Sequence, residues 1–419
     1  MISTLFLSPA LPSSCGVGVE KRASSHLEAL LRIGEVDLIL LMTQEQIDRN
    51  PVPPDLLARC RRVEVMEVAS ARSMRVYRTP GLTTLLRLTT YGRPRRVVRE
   101  HAAAQHLANL LSGGDHSLVL CFRLSSYALL ESVSSLPLAP PKQLAVDFDD
   151  IESNVTARLL RQPDRQRGIE QTLLLKLDRA ETLRLEQRAL MRASLVSVCS
   201  GTDAHALEAR GPRASIRVQP NSFVALDALP PRPPAPPLRL LFIGTMTYGP
   251  NEDAAIYFCE KILPLVRQPL DGAVRLAIVG KGPSARVCTL AKEDLVHVTG
   301  GVPEVEPYYA EADVVVVPIR YGGGTRIKIL EALALGRPVV STTIGAEGLD
   351  LRNEEDILLA DTPHDFAHHC VALAHDPARR ASLAASGRAR FMKLYEAASV
   401  ESKWADELHE LCIKSMSRP

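Results

Sequence analysis

Two cations and one carboxylate stand out in an otherwise apolar stretch of the chain. Arg326 and Lys328 fall in the first turn of a predicted helix, and Glu331 lies one turn later. A cation near a helix N-terminus costs about 0.3–1 kcal/mol, because the free N–H groups there already carry partial positive charge. A bound anion would make the interaction with these positive charges favourable, and a phosphate could accept hydrogen bonds from the N–H groups and from both cations. A carboxylate among apolar residues needs a donor, which the adjacent hydroxyls of a ribose would supply.

An alternative needs no ligand. Lys328 and Glu331 have the spacing of an ion pair along one helix face, and the glycines before them could form an ordinary surface turn. That alternative leaves Arg326 and a run of three glycines unexplained, so the pattern favours a phosphate site. The loop consists of Gly322, Gly323, Gly324 and Thr325.

The elements around these residues predict a parallel sheet covered by helices. Residues 314–317 are four consecutive valines, as expected of a strand that is buried on both faces. Thr325 begins an apolar helical pattern, which Gly336 and Pro338 end before a second strand at residues 338–341. The unit is strand, glycine loop, helix and strand.

The run PIRYGGGTRIKILEALALGRPVVSTTIGAEGL resembles the signature of the GT-B glycosyltransferases of family four, the group 1 transferases. It is closest to a bacterial subgroup associated with exopolysaccharide synthesis. The resemblance implies that Arg326 and Lys328 bind the donor diphosphate with the glycine loop, and that Glu331 binds the ribose. The family typically carries an earlier glutamate on this segment. That position is Gly323 here, so no catalytic residue is assigned.

Composition bounds the class of protein. A chain of 419 residues suits two domains of about 200 residues each. A hydrophobic content of 46% with 23% charged residues is typical of soluble globular proteins, and a net charge of +2 argues against a nucleic-acid binder. The basic run at residues 93–99 could contact anionic lipid, although such a run is more often a solvated face.

Compartment and boundaries also follow from composition. The eight cysteines are scattered singly, no apolar window is long enough to cross a membrane, and the N-terminus lacks a basic n-region, so a cytoplasmic protein with free thiols is expected. Six prolines at residues 229–238 predict a stiff spacer. The predicted domains are residues 1–228 and 239–389, followed by a helix at 390–419 that, by resemblance, crosses back to the first domain, with Trp404 as a packing anchor.

The first domain offers candidates for the acceptor side. By resemblance, Gly18, Lys21 and Arg22 follow the first strand in a loop that binds acceptor or phosphate, although a tight turn with surface charges fits equally well. Arg123 falls at the C-terminal end of a strand, where ligands gather in open α/β sheets.

Three acids, Asp147, Asp149 and Asp150, end another strand. They could form a metal site or supply a base, or they could favour the N-terminus of the next helix. GT-B enzymes need no metal, so none is expected, and Asp150 is assigned to capping or positioning.

The second domain begins with a further strand and loop. Gly244 and Thr245 follow a strand at residues 239–243, and a helix opens at Asn251, which makes this loop a second phosphate candidate. Many family members carry an arginine and a lysine here, whereas GTMTYGPNEDA has neither. The positive charge is therefore expected from Arg326 and Lys328.

Together these features predict two Rossmann-like, doubly wound domains facing a cleft. The resemblance implies a retaining transfer of sugar from a nucleotide diphosphate sugar to a glycan or lipid-linked hydroxyl, without a cofactor. Two alternatives stay open: a nucleotide sugar epimerase that uses the carboxylates at residues 147–152, and a non-catalytic nucleotide-sugar-binding subunit.

Overall fold

The computed structural model describes residues 2–14, 16–68, 95–113, 116–133, 141–161, 169–230, 232–322 and 327–416. Contacts divide the chain into two compact units: unit 1 comprises Met1–Pro220 and Ala398–Pro419, and unit 2 comprises Asn221–Ala397. The side chains of the basic run at residues 93–99 lie outside the described part. In the described part, no helix combines the length and apolarity needed to cross a membrane.

Unit 1 contains a parallel sheet whose strands follow the order β3-β2-β1-β4-β5-β6-β7. The strands are β1 (Ile2–Ser8), β2 (Gly34–Met42), β3 (Arg62–Glu67), β4 (Leu118–Phe122), β5 (Leu144–Phe148), β6 (Leu195–Val198) and β7 (Ser215–Val218). Successive side chains alternate between two apolar cores: Leu5 and Leu7 enter one, and Phe6 enters the other. Both faces are therefore covered, as continuous apolar strands require.

Helices connect these strands and cover the sheet. They are α1 (Gly18–Ile33), α2 (Gln44–Arg49), α3 (Pro54–Arg59), α4 (Arg95–Gly113), α5 (Arg123–Val133), α6 (Glu152–Arg161), α7 (Ile169–Arg192) and α8 (Gly201–Glu208). Ser200 caps α8, since its hydroxyl accepts from the Asp203 N–H at 3.1 Å.

Unit 2 contains a second parallel sheet, with the order β10-β9-β8-β11-β12-β13. Its strands are β8 (Leu238–Ile243), β9 (Val274–Val279), β10 (Val296–Gly300), β11 (Val314–Val317), β12 (Val339–Ser341) and β13 (Leu358–Leu359). Its helices are α9 (Gly249–Tyr257), a π-helical turn (Phe258–Ile262), α10 (Leu263–Arg267), α11 (Ala285–Cys288), α12 (Glu306–Glu311), α13 (Ile327–Ala334), α14 (Pro363–His375) and α15 (Pro377–Leu394). The predicted fold class, two Rossmann-like parallel-sheet domains, is confirmed.

The last helix, α16 (Ala397–Met416), packs in unit 1. Trp404 is 2% exposed, and its indole N–H donates to His26 Nδ1 at 3.1 Å. The prediction of one helix from residue 390 onwards was wrong, because the chain leaves the helical path between α15 and α16. There the Phe223 N–H donates to the Tyr395 carbonyl at 3.0 Å, and Phe223 pairs with Glu396 as a β-bridge.

The proline-rich stretch is bound to unit 2. Arg337 Nη2 donates to the Pro230 carbonyl at 3.1 Å, and Arg232 Nη1 lies 3.2 Å from Asp313 Oδ2. Asp313 is 4% exposed, so this ion pair anchors the segment to the interior. Contacts thus begin unit 2 at Asn221, before the predicted spacer.

Candidate nucleotide-binding site

The strand order of unit 2 reverses between β8 and β11. All pairings are parallel, so the loops after these two strands leave the same edge of the sheet side by side. In open α/β sheets, ligands bind in the crevice at such a reversal. Both predicted phosphate loops follow these two strands, so topology brings them together although the sequence separates them.

The loop after β8 passes close to its neighbours at Gly244. A Cβ on this residue would lie 2.7 Å from Lys328 Nζ and 2.7 Å from Asn251 Nδ2. One strand further along, a Cβ on Gly280 would collide with the Gly244 carbonyl oxygen. Side chains are therefore excluded at both positions, and Gly244 itself is partly exposed.

Lys328, in the first turn of α13, reaches this loop. Its ammonium donates to Asn251 Oδ1 at 2.7 Å and lies 4.6 Å from the centre of the Phe242 ring. A cation over an aromatic face is stabilised by about 0.5–2 kcal/mol. A charge from α13 thus stands beside Gly244, in a loop that has no basic residue of its own.

Glu331, one turn along α13, already has a donor within the protein. The Tyr309 hydroxyl donates to Glu331 Oε2 at 3.0 Å, and Tyr309 is fully buried. Burial first, and then the neighbouring carboxylate, raise the pKa of Tyr309 well above its ordinary value, so the phenol stays a neutral donor. The inference that Glu331 requires a ribose to satisfy its carboxylate was therefore too strong.

The glycine loop itself is described only at its start. Gly322 is buried, with φ of 119°, whereas Gly323, Gly324, Thr325 and Arg326 lie outside the described residues. Just before the loop, Arg320 forms a two-pronged ion pair with Asp253 of α9, at 3.0 and 2.6 Å, and stacks on Tyr257 at 4.3 Å. The loop that follows β11 is thus fastened to the helix that follows β8.

In unit 1, Arg22 is buried and pairs with Asp147. It is 2% exposed, its Nε and Nη2 donate to the Asp147 carboxylate at 2.8 and 2.5 Å, and its Nη1 donates to the Gln219 carbonyl at 2.9 Å. Arg22 is therefore an interior residue and is not available to contact an acceptor. Burial alone would raise the pKa of Asp147, but Arg22 and His26 outweigh it and hold that pKa well below the ordinary value.

The three acids after β5 have different surroundings. Asp147 is fully buried and is paired with Arg22. Asp149 lies closer to the surface, and its Oδ2 is 3.6 Å from Arg123 Nε. Asp150 is half-buried just before α6. Within the described ranges, no group of three potential ligands could hold a metal.

The remaining acceptor-side candidates stand at the ends of helices. Gly18 begins α1, and Lys21 follows in its first turn, half-buried. Arg123 begins α5 with φ of 66°, a left-handed conformation that is uncommon for a residue with a side chain and that concentrates at functional sites. Arg123 therefore remains a candidate.

Two residues of the site escaped sequence reasoning: the Asn251 side chain and Tyr309. The sequence indicates Asn251 only as the start of a helix, and it gives no sign of the partner of Tyr309. The one available signal was the missing positive charge in the loop of Asn251, which required a cation from elsewhere.

Residues 237–376 match the family model described as glycosyl transferases group 1. Over this segment the chain is similar to the group 1 glycosyl transferases. The predicted resemblance is confirmed, and so, at the level of the family, is the predicted class of enzyme.

Two curated relatives align with part of this chain. The putative colanic acid biosynthesis glycosyltransferase WcaL of Escherichia coli is 31% identical over 172 residues, which cover 37% of this chain and 41% of WcaL. An uncharacterized protein of the cps region of Klebsiella pneumoniae is 24% identical over 140 residues, covering 32% and 36% of the two chains. The matches span less than half the length of either relative.

Solved structures resemble the chain over nearly its whole length. Sucrose-phosphate synthase of Thermosynechococcus elongatus has a TM-score of 0.70 at 17% identity, covering 99% of this chain and 100% of that one. TarM of Staphylococcus aureus, in complex with UDP, has a TM-score of 0.67 at 12% identity over 97% and 99%. HepE of Anabaena, in complex with UDP and glucose, has a TM-score of 0.62 at 15% identity over 98% and 100%. At these identities the likeness concerns the fold, which is GT-B.

Proposed function

We propose that this protein moves a sugar from a nucleotide diphosphate sugar to a hydroxyl group of a glycan or lipid-linked acceptor in exopolysaccharide synthesis, with retention of anomeric configuration. The observation that carries the proposal is the ammonium of Lys328 beside Gly244, where the loops after β8 and β11 meet. A cation beside a partly exposed glycine loop at a strand-order reversal suits a diphosphate.

The proposed mechanism is stabilisation of the leaving group. As the bond from the sugar to phosphate breaks, negative charge grows on the departing diphosphate. A cation that is already in place lowers the barrier, because no reorganisation is needed when the charge appears. In this proposal Lys328 and Arg326 bind the diphosphate with Gly322, Gly323, Gly324 and Thr325, and Glu331 binds the ribose.

The comparisons support the ligand classes in this proposal. TarM and HepE are described in complex with UDP, and WcaL is named for colanic acid biosynthesis. We therefore favour a uridine nucleotide as the first donor to test and a surface polysaccharide as the pathway. The epimerase alternative is weakened, because Asp147 is buried in an ion pair with Arg22.

The experiment is an incubation with UDP- and GDP-sugars, with and without octyl glycosides as acceptor probes. Release of nucleotide that requires the acceptor supports the transferase, and the anomeric coupling constant of the product, measured by ¹H NMR, tests retention. Conversion of the donor sugar without acceptor would instead indicate an epimerase. Binding of the donor without turnover of any probe would indicate a non-catalytic subunit.

A Glu331→Gln variant tests the ribose contact. The amide oxygen of Gln still accepts from the Tyr309 hydroxyl, so the fold should hold, but the charged acceptor for the ribose is lost. Hydrogen bonds to charged groups contribute about 1.5–3 kcal/mol, so we expect roughly 10-fold weaker UDP binding. The wild-type preference for UDP over 2′-deoxy-UDP should shrink in parallel. An unchanged preference, measured by isothermal titration calorimetry, would contradict the assignment.

A further inference from the structure

Asn251 makes two hydrogen bonds in opposite directions. Its Nδ2 donates to the Thr245 carbonyl at 2.9 Å, and its Oδ1 accepts from Lys328 Nζ at 2.7 Å. A carbonyl and an ammonium leave the amide a single orientation, because its NH₂ must face the acceptor and its oxygen the donor. At 8% exposure, the side chain has little freedom to turn.

The amide holds the ammonium without adding charge of its own. A carboxylate at this position would also accept from Lys328, but it would oppose any anion that the lysine binds. The Phe242 ring under the ammonium and the absence of a Cβ on Gly244 complete the binding position of the lysine. The contact with Asn251 thus fixes where the charge stands and leaves it attractive to an anion.

The same side chain also fixes the loop. Through the Thr245 carbonyl, Asn251 joins the backbone after β8 to a cation carried by α13. These two parts come from segments far apart in the chain, and their relative position decides whether both reach one phosphate group. A displacement of about 1 Å at such a site can cost on the order of 100-fold in rate.

We propose that Asn251 is a positioning residue for the donor diphosphate, which acts by holding the Lys328 ammonium against the loop after β8. This inference rests on the proposed function, and it assigns to a neutral amide at the start of α9 the task of placing a cation that another helix supplies.

The test is an Asn251→Asp variant, in which the side chain keeps its size and its acceptor but gains a negative charge and loses the donor to Thr245. We expect UDP, GDP or ADP, whichever binds the wild type, to bind at least ~10-fold more weakly, a shift of about 1.4 kcal/mol. Binding of the matching nucleoside should change by less than about twofold, because the nucleoside carries no phosphate. Calorimetry measures both.

Asn353→Asp is the matched control. Asn353 lies in the same unit, and its Oδ1 accepts from the Leu359 N–H at 2.9 Å, a contact that an aspartate retains. We expect its diphosphate affinity to stay at the wild-type value. Asn251→Ala serves as a second variant should the aspartate fail to fold. It removes both hydrogen bonds without adding charge, and it should also weaken diphosphate binding and spare nucleoside binding.

The outcomes separate this inference from the proposed function. A wild-type protein that binds none of the three diphosphates refutes the proposed function. A wild type that binds one of them, with folded Asn251 variants of equal affinity, overturns only the role of Asn251. Equal losses for diphosphate and nucleoside would also overturn it, because they indicate general damage to the fold.

Discussion

Replacing Lys328 by methionine is expected to weaken binding of the donor diphosphate by ~100-fold or more. The reason is that the ammonium lies at the reversal of the strand order beside Gly244, where the loop has no basic residue of its own. Charge-assisted hydrogen bonds contribute about 1.5–3 kcal/mol each, and about 2.8 kcal/mol corresponds to 100-fold. Methionine keeps the aliphatic stem over Phe242, so the packing should change little. UDP and uridine titrations measure the effect.

The matched control is Lys261→Met. Lys261 is exposed in the π-helical turn after α9, so the same loss of charge occurs in the same unit but outside the site. Uridine affinity should be similar in all three proteins. Should Lys328→Met bind UDP within about twofold of the wild type, Lys328 does not contact the diphosphate.

Replacing Asp147 by asparagine is expected to destabilise unit 1 by about 3–5 kcal/mol, because the buried guanidinium of Arg22 loses its main counter-charge and keeps only Asp149, whose Oδ1 lies 3.8 Å from Arg22 Nε. The side chains of Arg22 and Asp147 are essentially inaccessible to water. The only tryptophan reports on this site directly: Trp404 donates to His26, whose Nε2 lies 3.4 Å from Asp147 Oδ2. Urea unfolding followed by Trp404 fluorescence therefore measures unit 1 separately from unit 2.

An exposed ion pair supplies the control for this prediction. Glu45 and Arg49 pair at 2.8 Å on the surface, and Glu45→Gln should cost less than about 1 kcal/mol. Adding Arg22→Met to Asp147→Asn removes the buried charge that has lost its main partner, so the double variant should lose less stability than the sum of the single variants. A loss below about 1 kcal/mol for Asp147→Asn would show that the buried pair contributes little.

The pH dependence has a definite sign. Since folding lowers the pKa of Asp147, the unfolded chain binds the proton more readily, and stability rises with pH. The contribution of the pair is complete above the ordinary carboxyl pKa of about 3.9 and is lost as the pH falls towards the lower folded value. The difference in unfolding free energy between wild type and Asp147→Asn should therefore shrink below about pH 4.

Most of the sheet could be predicted from the sequence, because buried parallel strands are continuous apolar runs. The predicted strand at residues 314–317 has the observed bounds, Val314–Val317. Helix ends were less certain, because tertiary contacts decide them. The break before α16 depends on Phe223, which pairs with Glu396 across a long stretch of chain.

Residue types and local spacing by themselves determined the α/β class, the family resemblance and the choice of Lys328 and Glu331 as candidate binding residues. Periodicity and helix-terminal charge are local properties of the sequence. Only the tertiary structure decided what each charge meets. It placed Arg22 on Asp147, Tyr309 on Glu331 and Lys328 on Asn251. These pairs join distant segments, and a sequence pattern carries no record of which buried donor reaches which acceptor once the strands have been ordered.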